Sequence, residues 1–199
     1  RRGVRIAKWL GDGAMLVGVE PEQTVESVVD IEALIHGSEL PLPLRAGIAR
    51  GPVLLIEGDD HIGDAVNLAS RLEGQSKTYG VNVLLNENVV DSAPAMATLE
   101  LDLVQVVGKS EPARIFTLLG DETLAASPAF QTLRVKQTRM LCAYRAREWE
   151  EACQALDQLG LLGWDALDGY FTMFRERVQA FKVAPPGSDW DGVERRLTK

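Results

Sequence analysis

The chain of 199 residues is 46% hydrophobic and 25% charged, which is enough apolar material for one ordinary domain plus an appendage and argues against a disordered polymer. Its formal charge of −8 is uneven, with 10 Lys+Arg against 17 Asp+Glu in residues 1–120 and 11 against 12 in residues 121–199. An acidic first region argues against general nucleic-acid binding, and no apolar run approaches the roughly 18–20 residues of a membrane helix.

The chain starts without Met inside a strand-like run, Gly3-Val4-Arg5-Ile6-Ala7, which suggests a lost N-terminal part. Residues 3–10 and 14–19 are predicted strands on either side of Gly11-Asp12-Gly13, a hairpin with an acidic tip. From Glu22 to His36 the apolar positions follow a helical period, with Pro21 before the helix and Gly37 closing it. Leu44–Ala49 and Val53–Ile56 read as a second hairpin around Arg50-Gly51-Pro52. A helix over about 63–77 and a short strand at Val81–Leu85 follow, then strands near Leu101–Val107 and Arg114–Leu119. This order predicts an α+β sandwich of the ferredoxin-like type, one mainly antiparallel sheet with helices on one face.

The character changes around residues 121–129. The rest reads as helices at roughly 131–146, 148–159 and 165–182, ending in the irregular run Pro185-Pro186-Gly187-Ser188-Asp189-Trp190. We expect two parts, 1–120 and a helical extension over 121–199 with one tetratricopeptide-like unit at 143–152, packed on the first part or on a partner. Tyr144, Trp149 and Tyr170 are expected in its core. Cys142 and Cys153 have no metal-ligand spacing and read as partly buried reduced thiols of a cytoplasmic protein.

Two segments carry chemistry. In Asp60-His61-Ile62-Gly63-Asp64-Ala65-Val66-Asn67-Leu68-Ala69-Ser70-Arg71-Leu72, Asn67 and Arg71 are four apart and share a helix face, with Val66, Ala69 and Leu72 marking the buried side. An amide and a planar five-donor guanidinium aimed together suit a phosphate and its reacting oxygens. Asp64 is expected as a helix cap, and His61 as loop filler rather than a base. The other segment, Lys8-x-x-Gly11-Asp12, would alone be an ordinary solvated turn.

Together, and in this order, the two segments resemble the class III adenylate/guanylate cyclases. Residues 103–116, with Gly108-Lys109 and Arg114-Ile115-Phe116, resemble the closing strand pair of that family. The resemblance covers about residues 1–120 and implies conversion of ATP to cyclic AMP and pyrophosphate. By resemblance, Lys8 and Asp60 read the purine edge, Asn67 positions the ribose and Arg71 stabilises charge on the transferring phosphoryl. Lys109 contacts the triphosphate, with Val107 where the family usually has another Lys. Two divalent cations, Mg²⁺ or Mn²⁺, are implied, with Asp12 matching the second of the two metal-binding Asp residues; the first would precede residue 1. The family's site lies between two subunits, with Asp12 from one and Lys8, Asp60, Asn67 and Arg71 from the other, so a homodimer is implied.

With one metal Asp missing and the stretch before Asp60 shorter than usual, this chain alone is expected to be inactive. A catalytically silent cyclase-like binding or regulatory module is the competing reading. A diguanylate cyclase is set aside, because Gly11-Asp12-Gly13-Ala14-Met15 is not the turn of that family. The segment 71–80 and the tail around Asp189-Trp190-Asp191-Gly192-Val193 resemble bacterial cyclases with an extracytoplasmic sensor upstream, so an anchor or sensor outside these residues is also an expectation.

Overall fold

The computed structural model describes residues 3–37, 44–56, 60–105 and 111–195. Strands β1 (Val4–Leu10) and β2 (Gly13–Gly18) form the expected antiparallel hairpin, closed by a turn in which Gly11 takes φ +69°. Helix α1 (Pro21–His36) begins on its proline, where the missing N–H costs nothing, and it buries Val25 and Val28.

Strand β3 (Ala46–Ile48) then departs from expectation. It does not pair with β4 (Leu54–Ile56); instead it runs parallel to β6 (Val83–Asn86), while β4 folds back on β5 (Asp60–Ile62). Pro52 has no N–H to give a ladder, and the Arg50 amide is taken by Asn86 Oδ1 at 3.2 Å, so the chain leaves β3 instead of returning along it. Helix α2 (Asp64–Tyr79) lies between β5 and β6, and the one-turn α3 (Glu87–Val90) follows β6. Strands β7 (Ala97–Gln105) and β8 (Ala113–Gly120) form the longest ladder. The last part holds α4 (Glu122–Ala126), α5 (Pro128–Arg145), α6 (Trp149–Gly160), a 3₁₀ turn at Asp165–Leu167, and α7 (Asp168–Val183). A final two-residue strand, β9 (Glu194–Arg195), is absent from the sequence expectation.

The central sheet has the order β3-β6-β8-β7-β9. Four of the six ladders among the described residues are antiparallel, so the α+β reading with a mainly antiparallel pattern holds. Its helices, however, cover both faces rather than one. All four residues of β6 are buried: Leu84 joins a core with Leu72, Tyr79 and the helices α5 to α7, while Val83 and Leu85 join a second core with Val25 and Val28 of α1. A strand buried on both sides loses the apolar/polar alternation that marks a one-faced sheet.

Helices α5, α6 and α7 run antiparallel in sequence. Arg139 of α5 reaches Glu151 of α6 at 2.6 Å, and Asp157 and Glu150 of α6 hold Arg175 and Lys182 of α7. These exposed pairs are worth little individually. Fully buried Phe130, Leu133, Met140, Leu156, Tyr170 and Phe174, each contributing about 1.5–3 kcal/mol through burial, do most of the holding. They share one core with Leu84, Leu99 and Leu101 of the sheet. Tyr144 and Tyr170 are buried as expected, whereas Cys142 is exposed instead of partly buried.

Candidate functional site

Helix α2 has two unlike sides. Ala65, Leu72, Ser76 and Tyr79 are buried, a spacing of 7, 4 and 3 that traces one stripe of an α-helix, with Val66 and Ala69 partly buried beside it. Asn67 and Arg71 are exposed, one turn apart, on the other side. The helix lies directly on β3 because residue 47 is glycine: a Cβ there would overlap the backbone of Ala69 and Glu73. This contact spans Ala69 to Glu73, the part of the helix that carries Arg71, and sets how closely that part lies on the sheet.

The start of α2 is set by its neighbour and not by a side-chain cap. Gly63 is the N-cap, and its carbonyl accepts from the amides of Val66 at 3.1 Å and Asn67 at 3.2 Å. The expected cap is corrected: Asp64 is the first residue of the helix and not its N-cap, and its carboxylate stands in the first turn, where the positive end of the helix dipole favours it. Strand β5 leads straight into this turn, which places the backbone of Asp60 next to the Asn67 end of α2. The side chain of Asp60 lies outside the described residues, as do Val107 and Lys109.

His61 is not loop filler. It is 7% exposed, belongs to β5, and accepts at Nε2 from the Arg5 guanidinium at 3.1 Å. That bond ties the β1–β2 hairpin to the strand that precedes α2. A β-bulge gives the hairpin its second role. Arg5 pairs with Val17 and Lys8 with Met15, with a register shift between Ile6 and Lys8. The extra residue puts Lys8 back on the side that carries Arg5, whereas an unbroken strand would have turned it away. The bulge therefore faces Lys8 the same way as the side chain that reaches β5. Sequence spacing could not show this, because the bulge breaks the period on which a strand reading depends. Lys8 is exposed, and Asp12 is exposed at the hairpin tip.

β1 and α2 both meet β5, so Lys8, the backbone of Asp60 and the exposed Asn67–Arg71 face stand on three elements that share this junction. Asp12 stands at the end of the same hairpin, and Lys109 remains outside the described residues. Among the described residues no three His, Cys, Asp or Glu side chains come together as metal ligands. Asp12 offers one carboxylate, so these residues do not by themselves build a two-ion centre. An open groove of about 640 Å³ lies elsewhere, between Pro94–Met96 and α4–α5, and is lined by none of this set.

Residues 1–120 hold this junction, and comparisons with known proteins bear on the fold that carries it. No family model matches the chain. It is 46% identical over 118 residues to an adenylate cyclase of Anabaena cylindrica, an alignment over 53% of this chain and 24% of that protein. It is 41% identical over 70 residues to an uncharacterised protein of Mycobacterium tuberculosis, over 35% of this chain and 18% of that one. The chain thus spans about a fifth to a quarter of the length of these relatives. Among solved structures it is similar to an adenylate/guanylate cyclase/hydrolase from Silicibacter pomeroyi, with TM-score 0.51 and 23% identity over 60% of this chain and 73% of that one. It is also similar to the catalytic core of a rhodopsin-guanylyl cyclase with converted specificity in complex with ATPαS, with TM-score 0.50 and 22% identity, again over 60% and 73%. The chain therefore carries the class III adenylate/guanylate cyclase catalytic-domain fold, with sequence likeness to an adenylate cyclase.

Proposed function

We propose that this chain is part of an adenylate cyclase that converts ATP to cyclic AMP and pyrophosphate at a site shared between two copies. The observation that carries the reading is the exposed Asn67–Arg71 pair on α2, beside a strand junction that also bears Lys8 and Asp60. Similarity to an adenylate cyclase supports the ATP assignment.

In the reaction the ribose 3′-oxygen attacks the α-phosphorus. The new O–P bond closes the ring, the α–β bridging P–O bond breaks, and pyrophosphate leaves with that electron pair. The hydroxyl proton passes to solvent. Lys8 donates to the adenine edge and Asp60 accepts from it, a pairing that favours adenine. The Asn67 amide orients the ribose so that its 3′-oxygen lies in line with the phosphorus. The Arg71 guanidinium donates to the oxygens on which charge grows and stabilises the transition state more than bound ATP. Lys109 contacts the triphosphate. Asp12 is this chain's carboxylate for the divalent ions, Mg²⁺ or Mn²⁺, which when bound neutralise phosphate charge.

The second copy is supported by apolar side chains that a monomer leaves in water. Ile6 and Trp9, on the face of β1 opposite Lys8, are 49% and 70% exposed, and Leu54 and Ile62 on the β4–β5 hairpin are 65% and 52% exposed. The shortage of metal ligands among the described residues favours one other reading, a silent nucleotide-binding or regulatory module.

The test is chromatographic detection of cyclic nucleotides from ATP and GTP, with Mg²⁺ or Mn²⁺, by the full-length protein and its Arg71→Ala variant. The expected result is cyclic AMP, with turnover lowered about 10²–10³-fold in the variant, as for loss of a preorganised charge stabiliser. Equal rates in the two proteins would remove Arg71 from the site. Binding of a fluorescent ATP analogue without any product would favour the silent module.

A further inference from the structure

Strand β7 carries a charge where the sheet meets the C-terminal helices. Its burial alternates from Ala97 until Leu101 and Asp102, which are both 0% exposed. A β-bulge explains the break, because Glu100 pairs with Phe116 and Asp102 with Ile115, leaving Leu101 as the extra residue. The bulge has two consequences. The Leu101 carbonyl turns toward the helices and accepts from Tyr170 Oη of α7 at 2.9 Å. The Asp102 carboxylate also enters the helical side, where Oδ2 accepts from Arg177 Nη1 of α7 at 2.7 Å and from Tyr79 Oη of α2 at 2.8 Å.

Asp102 therefore joins the last turn of α2 to the middle of α7. Arg177 also lies 4.7 Å from the centre of the Phe174 ring, which limits its movement. A separate contact joins the same two helices. Gly80 caps α2 with φ +64°, and a Cβ on it would sit 2.7 Å from Gly169 Cα in the first turn of α7, so backbone meets backbone. The buried end of α2 is thus held on two sides by α7. Its other side carries Arg71 about 12 Å and Asn67 about 18 Å up the helix axis from Tyr79.

A buried ion pair is a poor device for stability alone, since well-packed apolar residues of similar volume often do as well or better. It does specify a position, because the carboxylate, held on its own strand by the Leu103 amide at 2.9 Å, takes one directional donor from each of two helices and is satisfied by one arrangement of them.

We propose that Tyr79, Asp102 and Arg177 are positioning residues through which α7 holds α2, and with it Asn67 and Arg71, in the alignment that phosphoryl transfer requires. The inference rests on the cyclase reading above. It gives the C-terminal helices a part in the reaction although they contribute no group to the substrate.

The test separates position from stability. In the full-length protein Tyr79→Phe/Asp102→Leu/Arg177→Met replaces the three side chains by apolar groups of comparable size, and Tyr79→Phe alone removes one donor while keeping the ring. Melting curves, the Kd of a fluorescent ATP analogue, kcat, KM and amide exchange along α2 are measured for each. The expected triple variant melts within a few degrees of the parent and binds the analogue within about threefold. Its kcat falls at least tenfold, and its α2 amides exchange faster, because angstrom-scale misplacement of reacting groups costs orders of magnitude in rate. Tyr79→Phe is expected to fall between the two. A parent without cyclase activity overturns the functional reading, and amide exchange still tests the coupling of α7 to α2. An active parent whose folded variants keep both kcat and α2 exchange overturns the positioning role. If the triple variant fails to fold, Tyr79→Phe decides by the same two readouts.

Discussion

Tyr170→Phe tests how the C-terminal helices are fastened to the sheet. In the parent, Tyr170 Oη donates to the Leu101 carbonyl at 2.9 Å and accepts from Gln137 Nε2 at 2.6 Å, and Tyr170 is fully buried. Gln137 keeps a partner without the hydroxyl, because Nε2 also reaches the Glu100 carbonyl at 2.9 Å. The Leu101 carbonyl loses the donor that the bulge turned it toward. Leaving a buried acceptor without its donor costs about 1–3 kcal/mol, and the phenyl ring keeps the packing against Phe171 and Phe174. For a chain of this size each kcal/mol moves the midpoint by about 2–4 °C, so the expected drop in Tm is about 2–12 °C. Urea titration followed by circular dichroism should show the same loss in the transition midpoint with an unchanged slope. A variant that melts within 1 °C of the parent would refute the fastening, because the hydroxyl would then contribute nothing beyond its ring.

Other perturbations address separate parts of the structure. Trp9→Glu places a charge on an exposed face, so monomer stability should change by no more than about 0.5 kcal/mol, while the proposed dimer should weaken in light scattering and the proposed cyclase activity fall with it. Gly47→Ala forces a methyl group into the backbone of Ala69 and Glu73 and should destabilise by about 1–3 kcal/mol, with α2 displaced from β3; an unchanged urea midpoint would refute this close approach. Burial pushes the Tyr144 hydroxyl up to about 12, opposed by Arg177, so above pH ~10 the unfolded chain loses this proton before the folded one. Stability linked to Tyr144 is thus complete below pH ~10 and declines toward pH 12, and thermal melts of Tyr144→Phe should show a shallower alkaline decline than the parent.

Much of the architecture was legible because it rests on periodicity and local chemistry. The α2 stripe, the β1–β2 hairpin and the β7–β8 pair follow from patterns within single segments, as do the three long C-terminal helices. What could not be read depends on partners distant in sequence. The β3–β6 pairing joins strands separated by the whole of α2, and neither strand says which neighbour it will take. The covering of both faces depends on where α1 settles, and β6 reveals it only through its unbroken burial. The bulges at Ala7 and Leu101 each shift a strand by one residue, which reverses the face that alternation would assign to everything beyond them. The two bulges bear on the candidate site and on its proposed support, Lys8 in one case and Asp102 in the other.

The candidate site stands out in the sequence for a different reason. Asn67 and Arg71 stand out because the stripe of Ala65, Leu72, Ser76 and Tyr79 accounts for the burial of α2, while an amide and a guanidinium are aligned on its exposed side. Packing accounts for the apolar stripe, and solvation would be satisfied by any mixture of polar residues. Solvation alone is silent on why the aligned pair sits just after a strand tied by Arg5 and His61 to the hairpin of Lys8. That chain order sets Lys8, the backbone of Asp60 and the Asn67–Arg71 face on elements that meet at β5, while Asp12 is exposed at the hairpin tip. A surface helix kept merely soluble would tolerate Arg71→Lys, since either side chain is a hydrated cation. A guanidinium that must span two phosphate oxygens would not, because an ammonium is a point charge without the planar fork. Arg71→Lys should therefore leave the melting temperature unchanged and lower turnover nearly as far as Arg71→Ala, and full activity in the lysine variant would reduce Arg71 to a surface charge.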